Sequence, residues 1–190
     1  MIVITAAALM LASCGGEGAV VASPTLPPTT DASAPTTSAS DDPPTSERGN
    51  LVKTLGQEGG VFNPDESELV FTFALDAARA DPTCDSGFAS PPANGHYLAL
   101  DLRYATSPNL PEDYFIYWAA RDFRFIGADG VTVTNVEGQG FSCSISQIGQ
   151  ELLQPGSQYR GTLILDVPET HGILIYAPAW GNKVGWEWAL

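Results

Sequence analysis

The sequence is poor in basic residues and in histidine. Its 190 residues include 8 Lys and Arg against 22 Asp and Glu, which gives a formal net charge of −14, and only 2 residues are His. Proteins that bind nucleic acid need a basic surface, so this balance argues against a DNA or RNA partner. His96 is expected at a strand start and His171 in a turn, and we interpret both as structural positions rather than general bases.

Motifs that carry catalysis or bind metal are also missing. The stretch Gly140–Ser144 has only a superficial likeness to the G-x-S-x-G turn of serine hydrolases. Several acidic residues offer oxygen atoms of the kind that bind calcium, but they lack EF-hand spacing and are interpreted as solvated: Asp65, Glu66, Glu68, Asp81 and Asp85. The sequence therefore predicts no enzyme activity, no catalytic residue, no cofactor and no metal site.

No apolar run is long enough for a membrane-spanning helix, which needs about 20 residues. The run Ile2–Leu11 is followed by two small residues and Cys14. This stretch resembles a bacterial lipobox, in which the cysteine is lipidated and becomes the mature N-terminus, so residues 1–13 are predicted to be a signal peptide. The usual basic segment is missing because no Lys or Arg precedes Arg48. An ordinary secretory signal with a free product is the alternative.

The segment after Cys14 has the composition of a tether. Residues 15–49 contain 17 Pro, Ser or Thr among 35 positions and no aromatic residue. Such a segment cannot bury enough surface to offset its ordering entropy, so residues 14–49 are predicted to be a lipidated cysteine and a disordered linker. Two or three acyl chains such as palmitate suffice for stable attachment to the outer face of the cell membrane. O-linked sugar on the Ser/Thr-rich part is a further hypothesis.

The other two cysteines, Cys84 and Cys143, form an even pair in a chain that we expect to be exported. Neither has a second Cys or a His at the spacing of a metal site. Disulfides persist outside the cytoplasm, and we predict that these two cysteines are bonded to each other.

Period-two alternation dominates residues 50–190, and no amphipathic helix is evident. In the last strand Trp186 and Trp188 are expected to face the core, with Glu187 between them facing out. Eight or nine short strands separated by turns predict a single all-β domain, an immunoglobulin-like β-sandwich, over residues 50–190. The clearest inward-facing rows are Leu69, Phe71, Phe73 and Leu75; Leu98, Leu100 and Leu102; and Tyr159, Gly161, Leu163, Leu165 and Val167.

Three stretches together resemble a telokin-like immunoglobulin-fold domain of unknown function. They are Phe123–Phe125 leading to Asp129–Gly130, Pro155–Gly156 followed by Tyr159–Pro168, and the closing pair Leu174–Tyr176 and Trp186–Trp188. This domain is common in exported lipoproteins of Gram-positive, actinobacterial species and is similar to a secreted mycobacterial immunoprotective antigen. The resemblance implies an immunoglobulin-like sandwich and implies no established activity or catalytic residues.

The best binding candidate in the sequence is the aromatic stretch Pro111–Trp118. Exposed aromatic rings commonly mark recognition surfaces, so Tyr114, Tyr117 and Trp118 are possible partner-binding residues. Burial of these rings in the core is the alternative. The nearby segment Asp81–Gly95 is expected to present a stapled loop at one end of the sandwich.

The sequence thus predicts a membrane-anchored lipoprotein that displays a non-catalytic β-sandwich in the cell envelope. Its expected partners are the membrane, through the lipid, and a protein or cell-wall polymer, with no nucleic acid. Capture of a small ligand is the alternative function and would require a cavity. An envelope enzyme is the third possibility.

Overall fold

A computed structural model describes residues 44–111, 118–143, 152–179 and 185–190. Within those ranges the chain forms nine strands and two short 3-10 helices, at Ala120–Asp122 and Gly140–Cys143. The strands pack as two sheets, which confirms the predicted all-β sandwich. Their bounds are β1 Leu51–Val52, β2 Gly59–Phe62, β3 Leu69–Ala80, β4 His96–Thr106, β5 Phe123–Ile126, β6 Thr132–Val133, β7 Gln158–Val167, β8 Ile173–Tyr176 and β9 Trp186–Ala189.

The two sheets have different connectivity. One sheet has the order β1-β9-β8-β5-β6 and the other the order β2-β3-β4-β7. All neighbouring strands are antiparallel except β1, which runs parallel to β9. The long strands β3, β4 and β7 make up most of the four-stranded sheet, and β7 forms one of its edges.

Strand β3 changes its inward residues part-way along. Phe71 and Phe73 are buried against the opposite sheet, as the alternation predicts, whereas Leu69 at the hairpin end is 40% exposed. The pairing with β4 shifts register between Leu75 and Ala77, which marks a β-bulge. Beyond the bulge, small alanines take the inward positions, so the space between the sheets is less filled at this end of β3.

Aromatic rings fill the centre of the sandwich. Trp118 is 1% exposed and stacks on Tyr176 with ring centroids 4.2 Å apart. Phe73 meets Trp118, Tyr176 and Trp186 edge-on at centroid distances of 5.3, 5.3 and 4.9 Å. Stacked and edge-on pairs of this kind add to the stabilisation that burial of the rings provides.

Residues 44–50, which we call the strap, cover the outer side of β9 at Glu187. Arg48 forms a two-pronged ion pair with Glu187, at 3.0 and 3.1 Å, and Asn50 donates a further hydrogen bond to the same carboxylate. Burial acts to raise the pKa of Glu187, but these bonds outweigh it and hold the pKa below its ordinary value. Glu187 does lie on the side away from the core, yet it is only 5% exposed, so the expectation of a solvent-facing residue is corrected. Residues 44–49 of the predicted tether thus pack on the sandwich.

Candidate binding surface

Of the three aromatic residues singled out from the sequence, Trp118 alone lies among the described residues. Tyr114 and Tyr117 lie outside the described residues. Trp118 lies in the core between the two sheets, where it stacks on Phe123 as well as Tyr176. A fully covered indole ring offers no area to a partner, so core burial, the alternative interpretation, describes Trp118.

The two histidines occupy separate exposed places. The His96 imidazole lies 3.0 Å from the carboxylate of Asp81, and the His171 ring lies 2.9 Å from the hydroxyl of Thr170. Neither has a serine or cysteine nucleophile beside it in these contacts. Across residues 44–111, 118–143, 152–179 and 185–190, no three His, Cys, Asp or Glu side chains are grouped as a metal site requires.

The predicted disulfide between Cys84 and Cys143 is confirmed, with the two Cα atoms 4.7 Å apart. It does not join the two sheets through the core. Both sulfurs pack instead with Tyr97, Ala99 and Ile164 on the outer face of the four-stranded sheet. The bond therefore holds two chain segments, 81–95 and 134–143, against that face; we call them together the loop pair.

Asp166 fixes the loop pair from beneath. Its side chain is fully buried, and its carboxylate accepts three backbone N–H bonds, from Ala93 at 2.7 Å, Asn94 at 2.8 Å and Gln139 at 2.9 Å. One carboxylate thus holds both segments of the pair. Gly138 is required beside it, because its φ is +40° and a Cβ there would collide with the Asp166 carboxylate.

Further hydrogen bonds join the two segments directly. The Tyr97 hydroxyl donates to the carbonyl of Ser90 at 2.7 Å and lies 3.1 Å from the carbonyl of Gln139. The backbone N–H of Ser90 donates to the hydroxyl of Ser142 at 3.0 Å. Segment 81–95 is therefore tied along its length to the outer face of the sheet, rather than projecting from the end of the sandwich as expected.

This fixed loop pair exposes two large aromatic side chains. Phe88 is 92% exposed and Phe141 is 66% exposed, the two highest values among the large apolar residues of the described chain that are exposed. Phe88 lies two residues before Ser90, and Phe141 immediately precedes Ser142, so the Ser90–Ser142 bond holds their backbones near each other. Large exposed apolar groups on a pre-ordered loop are typical of recognition surfaces. We call these two side chains the phenylalanine patch.

Sequence reasoning missed the phenylalanine patch. The available signal was a single Phe in each of two Gly- and Ser-containing segments that flank the disulfide cysteines, with no alternating partner to place it in a strand. That signal becomes informative only when the disulfide is known to lie outside the core.

A second feature is a cleft at the end of the sandwich where the inward residues of β3 become alanine. It has a volume of about 360 Å³ and is open to solvent. Its walls are mostly apolar, and its polar residues come from the turn between β7 and β8. The lining includes Leu55, Ala78, Ala80, Leu98, Thr170 and His171.

In the part of the chain that the structure describes, no helical segment has the length and apolar character needed to span a membrane.

Comparison with known proteins adds little. No protein-family model and no curated protein matches the chain. Among solved structures, the chain is similar to the 1.5 Å crystal structure of a secreted protein from Mycobacterium tuberculosis, MPT63, at 15% sequence identity and a TM-score of 0.48. The match covers 73% of this chain and 97% of that chain. A likeness at this level carries no functional argument.

Proposed function

We propose that this chain is an exported, membrane-anchored lipoprotein whose β-sandwich is a non-catalytic module that binds a protein or a polymer of the cell envelope. The observation that carries the binding role is the phenylalanine patch: Phe88 and Phe141 are exposed to solvent on a loop pair held by a disulfide and by Asp166. The anchor is supported by the apolar run that ends at Cys14 and by the tether composition that follows it.

Rigidity gives the patch its binding potential. A mobile loop loses conformational freedom on binding, and this makes the binding free energy less favourable by about 0.5–1.5 kcal/mol for each side chain that becomes ordered. Here the backbone around Phe88 and Phe141 is already ordered by covalent and hydrogen bonds. Burial of each ring in a partner can therefore contribute most of its apolar transfer free energy, about 1.5–3 kcal/mol.

The binding role is tested with envelope fractions isolated from the host. We expect the purified domain to sediment with the fraction that contains its partner, and Phe88→Ser and Phe141→Ser each to weaken binding at least about tenfold, which corresponds to about 1.4 kcal/mol. Val131→Ser is the matched control, because Val131 is 58% exposed in the turn between β5 and β6. Equal binding by all four proteins would contradict the proposal. A photo-crosslinker placed at position 88 then distinguishes a protein partner from a polymer by the mass of the product.

The anchor is tested separately on the full chain in its host. We expect the mature N-terminus to be an acylated Cys14, and Cys14→Ser to move the protein from the membrane to the medium. An unmodified chain cut at another residue would favour the ordinary secretory signal.

Small-ligand capture is the second candidate function, and the end cleft of about 360 Å³ favours it. Its mostly apolar walls suit a small apolar molecule. A native mass spectrum of protein purified from the host tests this candidate: a retained ligand that is lost on Ala80→Leu would place solute capture first, and an unliganded mass would remove its support.

A further inference from the structure

The outer face of the four-stranded sheet has a second recessed area, at the far end of β4 from the disulfide. Its floor is made of short side chains, Thr72 of β3 and its cross-strand partner Ala105 of β4. Longer side chains rise around this floor and leave a recess of about 160 Å³ that is open to solvent. This volume is smaller than that of a pocket enclosing a whole small molecule, so the recess can contact one unit of a larger ligand. We call this area the arginine dish, and its polar rim consists of Glu58, Arg103, Gln158 and Arg160.

Among the described residues, the arginines on the outer face of this sheet are paired with carboxylates, with one exception. Arg79 pairs with Asp101 at 2.8 Å. Arg103 is fully engaged, by Asp76 at 2.9 Å and Glu58 at 2.8 Å, and it also donates to the carbonyl of Gly56. The side chain of Arg160 makes no ion pair or hydrogen bond with any part of the chain that the structure describes.

The position of Arg160 makes this lack of a partner informative. Arg160 of β7 lies directly across the strand pair from Arg103 of β4. Like charges in directly opposed positions destabilise a sheet. In a chain with 22 acidic and 8 basic residues, an acidic neighbour is the common outcome, yet Glu58 and Asp76 are both bound by Arg103, and Asp101 is bound by Arg79. An unpaired guanidinium beside a recess is the arrangement that binds an oxyanion from outside the chain.

We propose that the arginine dish binds an acidic saccharide unit, with the sugar carboxylate on the Arg160 guanidinium. A guanidinium and a carboxylate match in a planar, two-bond geometry. The other polar groups of the dish are uncharged or already neutralised: the Gln158 amide on the rim, the Thr72 hydroxyl on the floor, and the ion-paired Glu58 and Arg103. These groups suit sugar hydroxyls, which both donate and accept hydrogen bonds.

The charge of the surroundings narrows the ligand class. Glu58, Asp76 and Asp101 lie beside Arg160 on the same face, and the whole chain is strongly acidic. A dense polyanion would be repelled by this field, whereas a polymer with isolated carboxylates between neutral sugars needs only one local cation. The site therefore favours a saccharide in which acidic and neutral units alternate.

This inference does not depend on the phenylalanine patch. The patch lies over Tyr97, Ala99 and Ile164, while the arginine dish lies over Thr72 and Ala105. Variants in one area leave the other intact, so the two proposals fail or succeed separately.

The test is a titration of the domain followed by the Nε–Hε NMR signals of its arginines. The probes are a hyaluronan tetrasaccharide, in which acidic and neutral units alternate, the neutral chitotetraose of equal length, and inorganic phosphate. We expect the acidic tetrasaccharide to shift the Arg160 signal and to bind at least tenfold more tightly than either other probe. Arg160→Gln is expected to weaken it at least tenfold.

Arg124→Gln is the control variant, because Arg124 belongs to β5 in the other sheet and the substitution removes the same charge. We expect it to bind the acidic tetrasaccharide as the unmodified domain does. If both variants weakened binding equally, the loss would be due to the change in overall charge, and the assignment of the arginine dish as the binding site would be overturned. Equal binding of chitotetraose would overturn the role of Arg160, equal binding of phosphate would overturn the saccharide class, and no binding of any probe would overturn the proposal as a whole.

Discussion

Replacing Asp166 with Asn tests whether one buried carboxylate holds the loop pair in place. The substitution keeps the shape of the side chain and changes only its charge and one acceptor atom. In the folded protein, one carboxylate oxygen accepts from Ala93 and Gln139 and the other accepts from Asn94. The amide keeps one acceptor and turns the other into a donor, so at least one backbone N–H loses its partner and faces another N–H group.

The expected loss follows from these bonds. Hydrogen bonds to a charged group contribute about 1.5–3 kcal/mol each, and a buried donor left without a partner costs about 1–3 kcal/mol. Asp166→Asn removes one such bond entirely and takes the charge from the other two. We therefore expect a loss of about 2–4 kcal/mol in the free energy of unfolding, which corresponds to roughly 10 °C in Tm for a domain of this size.

Asp129→Asn is the matched control. Asp129 also accepts a backbone N–H bond, from Val131 at 2.9 Å, but it lies in an exposed turn. Its amide can keep that bond and remain solvated, so the expected loss is below about 0.5 kcal/mol. Both variants are compared by urea unfolding and by amide hydrogen exchange at residues 81–95.

The two variants should differ in where exchange increases as well as in stability. Asp166→Asn is expected to speed exchange in the loop pair and to weaken binding through the phenylalanine patch, while the strand amides of β3 and β4 stay protected below global unfolding. An Asp166→Asn protein that loses no more stability than Asp129→Asn, or whose loop pair stays protected, would refute the assignment of Asp166 as the residue that fixes these segments.

The double substitution of Cys84→Ser with Cys143→Ser removes the disulfide and frees the unfolded chain from a closed loop. The chain-entropy model then gives a loss of about 4 kcal/mol in the free energy of unfolding, which urea unfolding measures. Trp118→Ala leaves a cavity in the core and is expected to lower the free energy of unfolding by about 3–5 kcal/mol. Under conditions in which the variant is folded, its binding through the phenylalanine patch should be unchanged. Reduced affinity of the folded variant would restore a partner-binding role for Trp118. Because the pKa of Glu187 is lowered in the folded state, its contribution is complete above its ordinary pKa and is lost as the pH falls through the folded value. Stability of Glu187→Gln should therefore decline less than that of the unmodified protein over this acidic range, and parallel declines would contradict the role of the strap.

The alternation of apolar residues was enough to predict the strands because side-chain direction in a strand is a local property. Leu98, Leu100 and Leu102 are buried as the period requires, and so are Leu163, Leu165 and Val167. The disulfide was predictable by counting, since one of the three cysteines was assigned to the anchor. Local pattern failed where pairing shifts register: the bulge after Leu75 moves alanines to the inward row, and no feature of the sequence marks that shift.

The site depended on contacts between residues far apart in the chain. The sequence left two interpretations of Trp118 open, and only the packing of both sheets around its ring selected the core. Alternation in the sequence predicts on which side of the sheet Glu187 lies, and that side was expected to face solvent. The sequence pattern does not show that Arg48 covers that side.

By itself, the sequence determined the fold class, the paired cysteines and the acidic charge, because these follow from period, count and composition. The tertiary structure decided that the disulfide lies outside the core, that Asp166 holds both segments of the loop pair, and that Phe88 and Phe141 remain exposed above them. It also decided that Arg160 lies opposite Arg103 with no side-chain partner of its own among the described residues. Each of these features depends on contacts between residues from 52 to 73 positions apart in the chain. Pairing over such distances is set by the packed sheets rather than by local pattern.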